Sequence, residues 1–144
     1  MELFEEFVMW HLTRTGQVFI CPQYELHAGW ARPDFLALDY MEKAVKVVEV
    51  SAAGWPNGLL NRVENREQQW FGKLREELRR RGIIDDSWNK FQVVLYIRED
   101  AAKRFKERLG DPNDVVIQSF EKLGLPWEWD WAFQKADKQA AESG

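Results

Sequence analysis

The chain has 144 residues, of which 45% are hydrophobic and 14% aromatic. It is long enough for one domain with a real core, and it is too apolar to be a disordered segment. The single cysteine, Cys21, excludes an internal disulfide and a cysteine-based zinc cluster. No apolar run reaches the roughly 18 residues of a membrane span, and the acidic start at Met1–Glu6 is unlike a signal peptide. We therefore expect a cytoplasmic protein with no membrane partner.

The formal net charge is −4. A protein that coats nucleic acid without specificity is normally basic. The acidic balance does not exclude a nucleic-acid enzyme, because metal-binding acids lower the net charge and a local basic stripe is enough to hold phosphates.

The hydrophobic pattern predicts eight elements along the chain. They are a helix at Leu3–Thr15, strands at Gln17–Pro22, Asp34–Asp39 and Ala44–Ser51, a long helix at Leu59–Arg81, a strand at Phe91–Arg98, a short helix at Ala101–Leu109 and a strand at Asp114–Ser119. The order α-β-β-β-α-β-α-β predicts an α/β fold in which helices flank a mixed central sheet. We expect residues 1–134 to form one domain and residues 135–144 to form a flexible tail.

Two carboxylates interrupt the apolar strands. Asp34 begins the second strand, and Glu49 lies within the valine-rich third strand. Because side chains alternate across a strand, Glu49 shares one face with Val47 and Ser51. A buried carboxylate is destabilising unless it is paired or coordinates a metal ion. The acids therefore predict a site for Mg²⁺ or Mn²⁺. In the alternative interpretation, Glu49 pairs with an arginine and Asp34 caps a turn.

The run Arg32-Pro33-Asp34-Phe35, together with Glu49 on the next strand, resembles the PD-(D/E)xK nuclease superfamily. The predicted element order from Leu3 to Ser119 is similar to the core of that family. The resemblance implies a restriction-endonuclease-like core in which Asp34, Glu49 and the backbone carbonyl of Val50 hold the metal ion. It also implies hydrolysis of phosphodiester bonds, with DNA as the expected partner.

The chain departs from the family at Ser51, where the motif has a lysine. Serine cannot supply the positive charge of lysine, and we expect Ser51 at most to hydrogen-bond a water molecule of the site. A second metal ion is one replacement for the lysine, and a base from the following helix is another. In a third alternative the lysine is lost, and catalysis with it.

The candidate for a lysine that has moved from the motif position to the following helix is Lys73. Asn65, Gln69 and Lys73 follow one another at four-residue spacing, so the three side chains share a face of the predicted helix. The run from Gln69 to Lys73 resembles the Gln-x-x-x-Tyr element of RecB-like nucleases, which implies that Gln69 positions phosphate or water. A solvated polar face of an amphipathic helix is the alternative.

Acids outside the strands are further candidates. Glu5 is similar in position to a glutamate on the first helix of archaeal Holliday-junction resolvases, a resemblance that implies a supporting catalytic role. The adjacent Glu6 could serve instead, and Glu25 precedes the Asp34 strand. Each is otherwise a surface acid. His11 is expected to be a packed core histidine.

Nucleic-acid contacts are predicted for Arg62, Arg66 and Trp55. The two arginines flank the face that carries Gln69, and Trp55 follows Ser51, where it could stack on a base.

The alternating tryptophans Trp127, Trp129 and Trp131 indicate an extended segment with one aromatic face. That face covers this domain or docks a second copy or another protein. The sequence thus predicts a divalent-metal-dependent DNA nuclease. The alternative is a catalytically inactive nuclease-fold module that binds nucleic acid or a protein partner.

Overall fold

A computed structural model of the chain describes residues 3–14, 16–22 and 33–123. The elements, in chain order, are α1 (Leu3–Thr13), β1 (Val18–Pro22), β2 (Phe35–Asp39), β3 (Ala44–Ser51), α2 (Asn57–Glu64), a π-helical segment (Glu67–Phe71), α3 (Gly72–Arg80), β4 (Lys90–Ile97), α4 (Glu99–Leu109), β5 (Val115–Ser119) and α5 (Phe120–Leu123). Glu25, the tryptophan-rich segment with Trp127, Trp129 and Trp131, and the predicted tail at 135–144 lie outside the described residues.

The five strands form one sheet in the order β1-β2-β3-β4-β5. β1, β2 and β3 pair antiparallel, whereas β3, β4 and β5 pair parallel. The predicted α/β class, with a mixed sheet flanked by helices, is confirmed. β3 lies in the centre of the sheet, as its apolar sequence indicates, and Val45, Val47 and Val48 on its two faces are completely buried.

Two hydrophobic clusters cover the two faces of the sheet. On the first face, strand residues such as Val47 and Leu95 pack against Val63 of α2, Leu74 of α3 and Phe105 of α4. We call this the α2/α3 face. The second cluster is smaller and packs strand residues against α1 and α5; its fully buried members include Val8, Phe35, Val48, Tyr96 and Phe120. We call this the α1 face. Among the described helices, none is long and apolar enough to cross a membrane.

The prediction of one continuous helix at Leu59–Arg81 is wrong in one respect. The structure divides this range into α2, the π-helical segment and α3. α2 ends at Glu64, and at the capping residue Asn65 the backbone leaves helical geometry (φ −107°, ψ 30°). The side-chain amide of Asn65 donates to the carbonyl of Asn61 at 2.9 Å. Such local side-chain bonds compete with the helical ladder. The N–H of Gly72 then donates to the carbonyl of Glu67, five residues back. A π turn of this kind rotates the residues after it relative to those before it.

Replacing Leu74 with alanine tests the face that α3 presents to the sheet. Leu74 is completely buried, so the substitution removes apolar contacts and leaves a cavity. We expect a loss of about 2–5 kcal/mol in the free energy of unfolding. The adjacent Lys73 is exposed, and Lys73→Ala is the matched control, with an expected change within about 0.5 kcal/mol. Urea unfolding measures both, and similar losses would contradict the assigned face.

Candidate functional site

The register of β2 on β3 brings Asp34 and Glu49 together. Phe35 pairs with Val48, so Asp34, the residue just before β2, lies across from Glu49. Asp34 Oδ2 accepts a hydrogen bond from the N–H of Val50 at 2.8 Å, and the Asp34 N–H donates to the Glu49 carboxyl. The backbone therefore fixes both acids, and both lie on the α2/α3 face of the sheet.

Without a bound cation, the surroundings of Glu49 favour its protonated form at neutral pH. Its side chain is 5% exposed, and this burial is the main reason that the pKa of Glu49 rises to about 9. A side-chain hydrogen bond with Asp34 and the negative charge of Asp34 raise the pKa further, whereas Arg62 and the Asp34 N–H oppose the rise. Without a cation between them, the two carboxyl groups thus share a proton. The alternative in which Asp34 caps a turn differs from this arrangement, because its Oδ2 contacts the next strand.

Arg62 is the cation whose charge acts on this pair. It is half-buried on α2, and its positive charge favours the ionised form of Glu49. A Cβ placed on Gly58 would lie 3.6 Å from Arg62 Nη1, so the guanidinium folds back by one turn toward the start of α2. That start follows the loop that leaves the end of β3. Sequence reasoning selected Arg62 for phosphate contacts, and its position beside the acids was missed.

Lys73 is not brought to the acid pair. It is exposed on α3, between two residues that contact Phe91: the Phe71 ring centroid lies 6.0 Å from that of Phe91, and the Arg75 guanidinium lies 4.8 Å above the Phe91 ring. Phe91 is near the start of β4, four residues before the position across from Glu49. Four residues of a strand span about 13 Å. Gln69 is half-buried in the π-helical segment before Lys73.

Ser51 takes part in the loop that follows β3. Its hydroxyl accepts a hydrogen bond from the Ala53 N–H at 3.3 Å. The side chain is half-buried and lies two residues beyond Glu49 on the same strand, but it brings no charge to the acids. Val50, the predicted backbone ligand, donates its N–H to Asp34 and packs its side chain on the α1 face.

Glu5 belongs to the other side of the sheet. α1 packs through Val8 on the α1 face, whereas Asp34 and Glu49 occupy the α2/α3 face. The sheet therefore lies between Glu5 and the acid pair. Glu6, its predicted alternative, is exposed on the same helix.

Two residues predicted to contact nucleic acid have partners within the protein. Arg66 forms a bidentate ion pair with Asp114, with Nε–Oδ2 and Nη2–Oδ1 distances of 2.5 and 2.9 Å. This pair attaches the helical segment to the chain just before β5. Trp55 is 58% exposed, and the guanidinium of Arg104 in α4 stacks on its ring. Sequence reasoning missed this stack, although the basic sequence of α4 was a signal for it.

The donor set of the pair fits a magnesium-type ion better than a zinc-type ion. Over residues 3–14, 16–22 and 33–123, no three His, Cys, Asp or Glu side chains are grouped so that they could hold a metal ion by themselves. Mg²⁺ does not require such a cage, since it retains waters and uses one or two carboxylates together with substrate phosphates. Asp34 and Glu49 supply that minimum.

Comparisons with family models, with curated proteins and with solved structures found no match to this chain. The restriction-endonuclease-like core and the nuclease motif thus stay predictions from the sequence. The class that the fold defines is an α/β protein with a mixed five-stranded sheet.

Replacing Glu49 with glutamine should stabilise the protein at neutral and mildly alkaline pH. Because the pKa of Glu49 is about 9 when folded and 4.5 as a free side chain, the folded state holds a proton that the unfolded state releases. The free energy of unfolding therefore falls as pH rises from about 4.5 toward 9. Glutamine removes this dependence, and we expect a gain of roughly 1–3 kcal/mol at pH 8.

Urea unfolding of both proteins between pH 5 and pH 9, without divalent ions, measures this difference. Glu107→Gln on the exposed side of α4 is the control and should leave the slope with pH unchanged. A Glu49→Gln protein that is less stable than the native chain at pH 8 would contradict the protonated pair.

Proposed function

We propose that the chain is a divalent-metal-dependent nuclease that hydrolyses DNA phosphodiester bonds, with Asp34 and Glu49 as its metal-holding acids. One observation carries the proposal. A glutamate that is 5% exposed on the central strand of the sheet faces a second carboxyl group on the same side, within hydrogen-bond reach. Two acids that must share a proton destabilise a fold, and such arrangements are concentrated at functional sites.

A metal cation bound between the acids would remove the repulsion between the two carboxylates. Both carboxyl groups could then ionise, as oxygen ligands of Mg²⁺ or Mn²⁺ must. The bound ion would supply charge stabilisation to the phosphate and would lower the pKa of a bound water toward neutrality. The hydrogen bond from Val50 to Asp34 orients one carboxylate in the absence of any ion.

Arg62 is the residue that we assign to the role of the lysine missing at position 51. Its guanidinium folds toward the start of α2 and its charge reaches Glu49. A guanidinium there would hold a non-bridging phosphate oxygen and offset the negative charge that develops in the transition state. Lys73 is exposed on α3, and its neighbours Phe71 and Arg75 contact Phe91 near the start of β4, so Lys73 serves as the competing assignment in the test of the cation.

The inactive nuclease-fold module is the second candidate. Ser51 supplies no charge, and its hydroxyl already accepts the Ala53 N–H. The two carboxyl groups also satisfy each other when no metal is present. These observations favour a protein that retains the fold but only binds a nucleic acid or a protein partner. Metal binding distinguishes the two functions, because the inactive module has no need for the ion.

Metal-dependent cleavage is the first test. The native chain should nick or degrade supercoiled, linear or branched DNA in the presence of Mn²⁺ or Mg²⁺, and chelation should stop it. Asp34→Asn and Glu49→Gln should each lower the rate by at least about a hundredfold, whereas Glu107→Gln should retain it. Calorimetric titration should show Mn²⁺ binding to the native chain and to Glu107→Gln, but not to Asp34→Asn or Glu49→Gln. If neither cleavage nor Mn²⁺ binding is found, the inactive module is the better description.

The assignment of the cation is tested with two alanine variants. Arg62→Ala should lower kcat by roughly ten- to a thousandfold, because a group that stabilises the transition state is removed. Mn²⁺ binding should change little, and Arg62→Lys should restore part of the rate. Lys73→Ala should retain the native rate. The reverse result, with Lys73→Ala inactive and Arg62→Ala active, would support the migrated lysine predicted from the sequence.

A further inference from the structure

An exposed tryptophan lies in the loop at 52–56, between the end of β3 and the start of α2. Trp55 is 58% exposed, although the guanidinium of Arg104 covers one face of its ring. Since more than half of the residue stays accessible with one face covered, the other face of the ring is open to solvent. We call this arrangement the Trp55–Arg104 stack.

The loop that carries the ring is held at two points. The N–H of Asn57 donates to the carbonyl of Trp55 at 2.9 Å, where α2 begins. A Cβ placed on Gly54 would lie 3.5 Å from Arg98 Nη1 and 3.5 Å from Asp100 Oδ2, so the loop runs against the start of α4. A ring that is already fixed in this way loses little conformational freedom when it binds a ligand.

The stack belongs to the same side of the sheet as the acid pair. α4, which carries Arg104, packs through Phe105 on the α2/α3 face. Trp55 follows Glu49 by six residues, so their Cα atoms are at most about 22 Å apart. Because a stacked DNA strand has one phosphate per roughly 3.4 Å, a strand of about six nucleotides could contact both.

The charge of Arg104 is available to a phosphate. Two other arginines nearby are paired with acids: Arg98 Nη2 lies 3.1 Å from Asp100 Oδ2, and Arg108 Nε lies 3.8 Å from Glu64 Oε1. Arg104, in contrast, forms no ion pair with any residue in the described part of the chain, and its contact with the tryptophan ring leaves its charge in place. A local positive charge of this kind can hold a phosphate despite the acidic net charge of the chain.

An open tryptophan face beside a free guanidinium suits an unpaired base and its phosphate. Every base has a flat face that can stack on an aromatic ring, and single-strand binding proteins combine such rings with positive charge along the backbone. In a duplex, neighbouring base pairs already cover these faces, except at the ends. The arrangement therefore favours a single strand over a duplex.

We propose that the Trp55–Arg104 stack binds single-stranded DNA, so that the acid pair acts on single-stranded rather than duplex substrates. A base would stack on the open face of Trp55, and an adjacent phosphate would contact Arg104. The strand would continue toward Arg62 and the acids. This inference rests on the proposed nuclease function for the reaction, whereas binding to the stack needs no metal ion and can be measured without cleavage.

Fluorescence anisotropy in the presence of chelator tests the preference. The probes are a labelled DNA strand of about 12 nucleotides and the blunt duplex that the same strand forms with its complement. The native chain should bind the single strand at least about tenfold more tightly than the duplex. Equal affinity for both, or no binding of the single strand, overturns the inference. Single-strand binding without cleavage after Mn²⁺ is added would instead contradict only the nuclease proposal.

Variants locate the bound strand. Trp55→Ala should weaken single-strand binding by about tenfold or more, and Trp55→Phe should restore part of the affinity. Arg104→Gln should reduce the slope of log affinity against log salt concentration by about 0.7, because one phosphate contact is lost. Trp10→Ala is the matched control, since Trp10 is 62% exposed on α1, on the other side of the sheet, and it should bind like the native chain. Unchanged binding by Trp55→Ala, or an equal loss in Trp10→Ala, would show that the strand does not bind at the stack.

Discussion

A carboxylate buried in the centre of the sheet is the constraint on which the rest of the site depends. β3 has neighbours on both sides and helices on both faces, so Glu49 has little contact with solvent and cannot turn away from the core. Its nearest polar partner is another acid, and the pair is therefore stable without a cation only when it holds a proton. The other groups near the site matter by whether they increase or decrease the repulsion between these two carboxyl groups.

The acid pair itself could be predicted from the sequence, because side chains alternate between the two faces of a strand with a period of two. A glutamate inside a valine run is conspicuous, and alternation assigns it to one face without any knowledge of the tertiary structure. Asp34 follows from the same logic once β2 and β3 are taken as neighbours. The register that places the two acids opposite each other is set by the Tyr40–Lys43 turn and by burial of both strands, and the sequence could only make it plausible.

The position of Arg62 beside the acids could not be predicted from the sequence in the same way. Helical spacing tells which residues share a face, but it does not tell how far along the sheet that face lies. Asn65, Gln69 and Lys73 have the spacing of one helical face, yet α2 ends at Glu64, Gln69 lies in the π-helical segment and Lys73 lies in α3. Arg62 precedes that interruption and lies closer to the end of β3. The same limit applies to Arg66 and Trp55, whose partners Asp114 and Arg104 are distant in sequence.

The two faces of the sheet carry different polar groups. β3 contributes Glu49 to the α2/α3 face and Lys46 to the α1 face, three residues apart on one strand, so the acid pair and the Lys46–Asp39 ion pair rest on the same rigid backbone. A period of two makes this possible, because neighbouring residues of a strand serve opposite surfaces without sharing contacts. Gln92, beside Lys46, and Leu95, beside Glu49, repeat the division on β4. A change of charge on one face of the sheet can thus be made without removing a contact on the other face, since the sheet backbone lies between them.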